Sequence, residues 1–128
     1  VEVRYKDDKV IEELMDEIIA AILEECEGRQ VGMAVREVAH NKAILLPTDM
    51  VKLITEAADQ QGLDFQVMGS GAVHDASMMA QFVPTGMIFV PSIGGRSHVK
   101  EEDTKETDLI AGGNLLLDVV LSLIQQSC

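Results

Sequence analysis

Val1, Val3 and Tyr5 alternate with Glu2 and Arg4 at the two-residue period of a strand with one buried face. Asp7 and Asp8 then place acids where a helix should begin. Ile11, Leu14, Met15, Ile18, Ile19, Ile22 and Leu23 follow at three- and four-residue steps as one apolar stripe, with Glu12, Glu13, Asp16 and Glu17 on the wet side. Gly28 is expected to stop this helix. Val31, Met33 and Val35 predict a second strand running to Val38 and pairing with the first across the helix, one β-α-β unit.

The period is lost over residues 39–47, which marks a boundary. Thr48 is placed to cap a helix carrying Met50, Val51, Ile54, Ala57 and Ala58 to a stop at Gly62. A strand over 65–68, a Gly/Ser turn, a short helix from about Asp75 and a strand over 87–90 come next, the last ended by Pro91. Leu109, Leu116, Leu117, Val120, Leu121 and Ile124 predict the buried face of a final helix, and the Met78-Met79 pair is expected in the core. Strands alternating with helices predict an α/β fold, mixed with α+β features, built on parallel sheet. The expected division is 1–38, a connection at 39–47, and 48–128.

Composition narrows the setting. An apolar content of 47% can build a core, and aromatics at 3% leave its packing to aliphatic side chains. A net charge of −12 repels a phosphate backbone, so nucleic acid and anionic membranes are excluded as partners. No apolar run is expected to approach the roughly 20 residues that span a bilayer, and no basic stretch followed by an apolar core opens the chain. Cys26 and Cys128 form no disulfide framework or metal-ligand spacing, which fits a reducing cytoplasm. Val1 stands where a Met would start a complete protein, and the opening reads as a strand already in progress, so a piece of a longer chain is expected.

Two clusters could carry chemistry. Ser70-Gly71-Ala72-Val73-His74-Asp75-Ala76 is a small-residue turn between an expected strand and helix, with an imidazole beside a carboxylate. Small residues let a ligand approach the backbone, and the N–H groups of the following helix favour an anion. The same residues also suit an ordinary turn in which Asp75 is a helix-start acid and His74 a surface residue. In Pro91-Ser92-Ile93-Gly94-Gly95-Arg96-Ser97-His98, His98 sits on a loop after an apolar strand, a position that suits a ligand or a plain solvated loop. Zinc needs three or four protein ligands, and His40 lies beyond the boundary, so no metal site closes on spacing. There is no nucleophile elbow and no phosphate-binding loop.

The strings SGAVHDASMM, PTGMIFVPSIGGRSH and EEDTKETDLIAGGNLLLDVVLSL, in this order and spacing, resemble the C-terminal region of hydantoinase/carbamoylase-type, zinc-dependent amidohydrolases. That group includes N-carbamoyl-L-amino acid hydrolase, allantoate amidohydrolase and β-alanine synthase. The resemblance covers essentially the whole chain. It implies the second half of a lid and dimerisation domain followed by the C-terminal part of a zinc-peptidase-like catalytic domain.

Several roles are implied by this resemblance. Arg4, in a VEVR string similar to the family's Asp-Ile-Arg, would grip the substrate carboxylate, for which a planar guanidinium fork is suited. Gly71 and Ala72 would line that end of the substrate with backbone, His74 would polarise the substrate, and Asp75 would support the site. His98 would be a metal ligand. The implied cofactor is a divalent metal, zinc or manganese, as two ions in a whole enzyme. The implied partners are a small carbamoyl or ureido amino acid substrate, the N-terminal part of the catalytic domain, and a second subunit in a homodimer.

The resemblance also implies what these residues lack. The family's His-x-Asp motif and general-base glutamate precede the lid, and one His can neither hold two ions nor acidify water. The 128 residues alone are therefore expected to be inactive. Val73 in place of a glycine, and Arg96, Val99 and Lys100 around Ser97-His98, depart from the family pattern and bear on substrate choice. A non-catalytic dimerisation module and an aminoacylase or dipeptidase relative are the competing readings.

Overall fold

The computed structural model describes residues 1–126; Cys128, expected as an unpaired thiol, lies outside the described residues. Its helices are α1 (Asp8–Gly28), α2 (Thr48–Gln60), α3 (Asp75–Met79) and α4 (Glu106–Gln126), with a 3₁₀ turn at Ile93–Gly95. The described residues divide into two compact units, one of residues 1–45 and 68–74, the other of residues 46–67 and 75–126.

In the first unit, the Asp7 side chain caps α1 by accepting the Lys9 N–H at 3.0 Å. The Asp8 carboxylate takes the Ala43 N–H at 2.7 Å and so ties the 39–47 segment to the helix start. The expected stripe is half covered: Ile11, Met15, Ile18 and Ile19 are partly buried, whereas Leu14, Ile22 and Leu23 are exposed. Gly28 is the last helical residue rather than the stop. The reversal falls on Gln30, at φ 57, where Gln30 N–H reaches Glu27 O at 3.1 Å and Val31 N–H reaches Cys26 O at 2.9 Å. Cys26 is a free thiol within α1.

In the second unit, α2 begins one residue earlier than a Thr48 cap requires. Pro47, at φ −56, holds the cap position without a side-chain bond, and its carbonyl takes the Met50 and Val51 N–H groups, both at 3.1 Å. Gly62, at φ 66, ends α2 as expected: its N–H bonds Asp59 O at 3.0 Å, and Leu63 N–H bonds Ala58 O at 3.0 Å. Leu63 thereby folds back onto the core, which consists of Ala57 and Ala58 of α2 and Leu115 and Val119 of α4, flanked by Leu53, Ile54, Ile88 and Leu123.

Small residues set the spacing of this core. A Cβ on Gly112 would lie 2.5 Å from Cγ1 of the stiff, β-branched Val90, and one on Gly86 would lie 2.6 Å from Ile54 Cδ1, so a side chain at either position would make a neighbour shift. Gln61 Nε2 donates to Asp118 Oδ2 at 2.5 Å and ties the end of α2 to the middle of α4.

Three expectations fail here. Among the described residues no strand forms: the segments at 1–5, 31–38, 65–68 and 87–90 have no ladder partner, and the predicted pairing of the first two across α1 is absent. A strand exists only by alignment with a neighbour about 4.8 Å away, and none of these segments supplies one to another. The α4 face predicted as buried is the exposed one, with Leu116 and Leu117 each at 55% and Ile124 at 56%, because α2 meets the face bearing Gly112, Leu115 and Val119. Met78 and Met79 are likewise exposed.

The length expectation is corrected too. α4, at 21 residues, is long and apolar enough to cross a membrane by length and composition. Asp118, bonded to Gln61 in the middle of α4, would be costly in hydrocarbon, and Leu115 and Val119 set one face of α4 against α2.

Candidate functional site

The first unit brings Arg4 to the 68–74 turn. Arg4 Nε donates to Glu2 Oε1 at 2.6 Å, and Arg4 Nη1 donates to the Gly71 carbonyl at 3.0 Å. Residues two apart in a non-helical segment can share a face, which lets Glu2 reach Arg4. The contact moves both groups: the hydrogen bond and charge of Arg4 hold the Glu2 carboxyl below its ordinary range, and the hydrogen bond and charge of Glu2 raise Arg4. Both side chains are exposed, so the pair directs the guanidinium and adds little stability.

Within the turn, Ser70 Oγ accepts the Ala72 N–H at 3.2 Å and lies 2.6 Å from His74 Nε2. Gly71 and Ala72 are exposed and His74 is half-buried. Backbone open to solvent on one side and a guanidinium on the other can receive a small carboxylate.

Asp75 opens α3 and belongs to the second unit, where it is the acid of a helix first turn. His98 also lies in that unit, exposed, at φ 59, on a loop in which Gly94 and Gly95 take φ 69 and 64. Ile93 N–H bonds Asp103 O at 2.7 Å to close the loop. The Glu102 carboxylate accepts the His98 backbone N–H at 2.6 Å, which holds the left-handed residue in place. The third histidine, His40, sits beside Glu37 at 3.5 Å in the first unit.

These residues do not fit a metal centre by themselves. Among the described residues no group of three or more His, Cys, Asp or Glu side chains could hold an ion. His98 offers one imidazole where a zinc site needs three or four protein ligands.

Arg4, Gly71, Ala72 and His74 thus come together, while Asp75 and His98 belong to the other unit. Sequence reasoning did not single out Glu2, Ser70 or Glu102 as partners of Arg4, His74 and His98. The signal was spacing: Glu2 lies two residues from Arg4, Ser70 four from His74, and Glu102 four from His98.

A sequence model of peptidase family M20/M25/M40 matches residues 6–122. The allantoate amidohydrolase of Escherichia coli is 31% identical over 126 residues, covering 98% of this chain and 31% of that protein. The N-carbamoyl-L-amino-acid amidohydrolase of Paenarthrobacter aurescens is 33% identical over 123 residues, covering 96% of this chain and 30% of that protein. The crystal structure of a hydantoinase/carbamoylase family amidase from Burkholderia multivorans matches with a TM-score of 0.88 at 30% identity, over 92% of this chain and 29% of that one. The chain therefore spans about three tenths of the length of these relatives.

Proposed function

Because the chain belongs to peptidase family M20/M25/M40, we propose that it forms part of a metal-dependent amidohydrolase cleaving the carbamoyl or ureido C–N bond of an N-carbamoyl amino acid or of allantoate. The observation that carries this reading is the placement of Arg4 against the Gly71 carbonyl, which sets a guanidinium beside an open backbone turn. Such substrates carry a carboxylate at one end and a neutral urea-like group at the other. Arg4 binds the carboxylate, with Glu2 on Nε directing the remaining N–H groups. The exposed Gly71 and Ala72 backbone lies along the substrate's carboxylate end, and His74 polarises the carbamoyl oxygen. Asp75 supports the site from the start of α3.

In this reading residues 1–38 belong to a lid and dimerisation domain, 39–47 connect, and 48–128 belong to the catalytic domain with its α/β sheet. Sheet partners, most metal ligands and the general base then come from residues outside these 128. His98 supplies one ligand to a divalent metal, zinc or manganese. The working enzyme is a soluble cytoplasmic homodimer with a small-molecule substrate.

The test is steady-state hydrolysis by the intact protein carrying this segment, offered allantoate, N-carbamoyl-L-amino acids, N-acetyl amino acids and dipeptides. Turnover confined to the carbamoyl and ureido compounds is expected, with KM raised in Arg4→Met and metal content unchanged. Preference for acetyl or peptide substrates would replace this reading with an aminoacylase or dipeptidase. Turnover by the 128 residues alone would refute the assignment of the missing groups to other sequence.

A further inference from the structure

The Gly71 carbonyl and the Ala72 N–H belong to one peptide group, and the chain has no cis peptide among its described residues, so the two point in opposite directions within one rigid plane. The carbonyl side is taken by Arg4 Nη1 at 3.0 Å. The N–H side is taken by Ser70 Oγ at 3.2 Å. That oxygen is 2.6 Å from His74 Nε2, a short separation for a hydroxyl and a ring nitrogen. Three contacts therefore run in series from a cation to an imidazole, through one peptide and one hydroxyl.

The direction of the first two bonds is fixed. Arg4 can only donate, so the carbonyl accepts; the Ala72 N–H can only donate, so Ser70 Oγ accepts. A hydroxyl that has accepted one bond still holds one proton to give. Donating it to His74 Nε2 makes every bond in the series point the same way. Each bond in such a one-way chain polarises the next, and a positive charge at its head strengthens the donors downstream.

The geometry points to Ser70 as a positioning residue: together with Arg4 and the Gly71–Ala72 peptide, it holds neutral His74 in the tautomer whose Nε2 accepts and whose Nδ1 carries the proton. The carboxylate-binding cation and the substrate-polarising imidazole are thereby linked 70 positions apart in sequence, so that displacing Arg4 is felt at His74. This rests on the function proposed above for the role of the ring, but the tautomer itself does not.

The tautomer is read from ring ¹⁵N chemical shifts of histidine-labelled intact protein, at a pH where the imidazole is neutral, with His74 assigned from His74→Gln. A pyridine-like Nε2 shift is expected at His74. It should move toward the pyrrole-like position in Ser70→Ala and, to a smaller extent, in Arg4→Met, and return in Ser70→Thr, which keeps the hydroxyl. A pyrrole-like Nε2 in the unaltered protein, or a shift that ignores Ser70→Ala, would overturn the inference. Turnover separates the two layers. If His74→Gln leaves hydrolysis of N-carbamoyl amino acids unchanged while the shifts behave as expected, the ring's assigned role fails and the positioning stands. If hydrolysis falls with His74→Gln but the shifts are insensitive to Ser70, the positioning fails and the role stands.

Discussion

Arg4 donates to the carbonyl of Gly71 across 67 positions of sequence, and this single bond joins the opening of the chain to the turn that carries His74. Glu2 holds the other side of the same guanidinium. The arrangement makes Glu2 a reporter of Arg4. Its carboxyl titrates below the ordinary glutamate range because the charged form accepts from Arg4. A group whose pKa is lowered on folding gives its contribution above the unfolded pKa and loses it as the pH falls through the folded value. The Glu2–Arg4 tie should therefore be intact at neutral pH and release only below the usual glutamate midpoint. Carboxyl-carbon NMR of Glu2 should show the low midpoint, and Arg4→Met should return it to the ordinary value; an unchanged midpoint would sink the pairing.

Gly112 is where α4 comes close to Val90. A methyl at Gly112 would meet Val90 Cγ1 at 2.5 Å, closer than real Cβ contacts allow. Gly112→Ala should destabilise the second unit by about 1–3 kcal/mol, the range for overpacking, despite the better helix propensity of alanine. Val90→Ala removes the obstructing Cγ1 and should recover much of the loss when combined with Gly112→Ala. Urea unfolding of the four proteins measures the coupling, and strict additivity would show that the two residues do not meet.

The helices were legible because their stripes and end signals lie within single segments. Asp7, Gly62 and Asp75 each act locally, and each appears where the sequence placed a helix boundary. What depends on a partner was not legible. The alternation over 1–5 and 31–38 says that a face wants cover, but a ladder needs a neighbouring segment at the right distance, and the described residues provide none. The same holds for α4: its largest residues mark one face, while α2, with Ala57 and Ala58, accepts the face with Gly112, Leu115 and Val119. Pairs of small residues on two helices were the available signal, and side-chain size had outweighed it. At the site, the resemblance pointed to Arg4, Gly71, Ala72 and His74, but the atoms that join them depend on Ser70 and Glu2, whose roles arise only from geometry.

The uncovered face of α4 carries a consequence for the chain on its own. Leu109, Leu116, Leu117, Val120, Leu121 and Ile124 are all exposed, a row far more apolar than an isolated soluble surface tolerates. The 128 residues alone should self-associate with rising concentration, seen in sedimentation velocity. Leu117→Glu with Leu121→Lys should lower the apparent mass while leaving helix content by circular dichroism intact, since neither residue belongs to the buried core. A monomer at every concentration would show that the row is covered in solution by some other part of the chain.

His98 provides the last test, because its backbone is unusual independently of any ligand. A histidine at φ 59 sits in a region that side chains seldom adopt, and the Glu102 carboxylate holds it there through the His98 N–H at 2.6 Å. If His98 is one of the metal ligands of the intact protein, as proposed, its backbone pose matters as much as its ring. His98→Ala should then lower bound metal outright. Glu102→Ala should weaken metal affinity by about 10–100-fold, the usual scale for a group that orients a ligand, whereas Glu102→Gln keeps an acceptor oxygen and should retain most of it. Metal content by mass spectrometry after dialysis against graded chelator reads all three. Full occupancy in His98→Ala would remove the ligand role, and equal losses in Glu102→Ala and Glu102→Gln would show that the Glu102 charge, rather than its hold on the loop, is what matters.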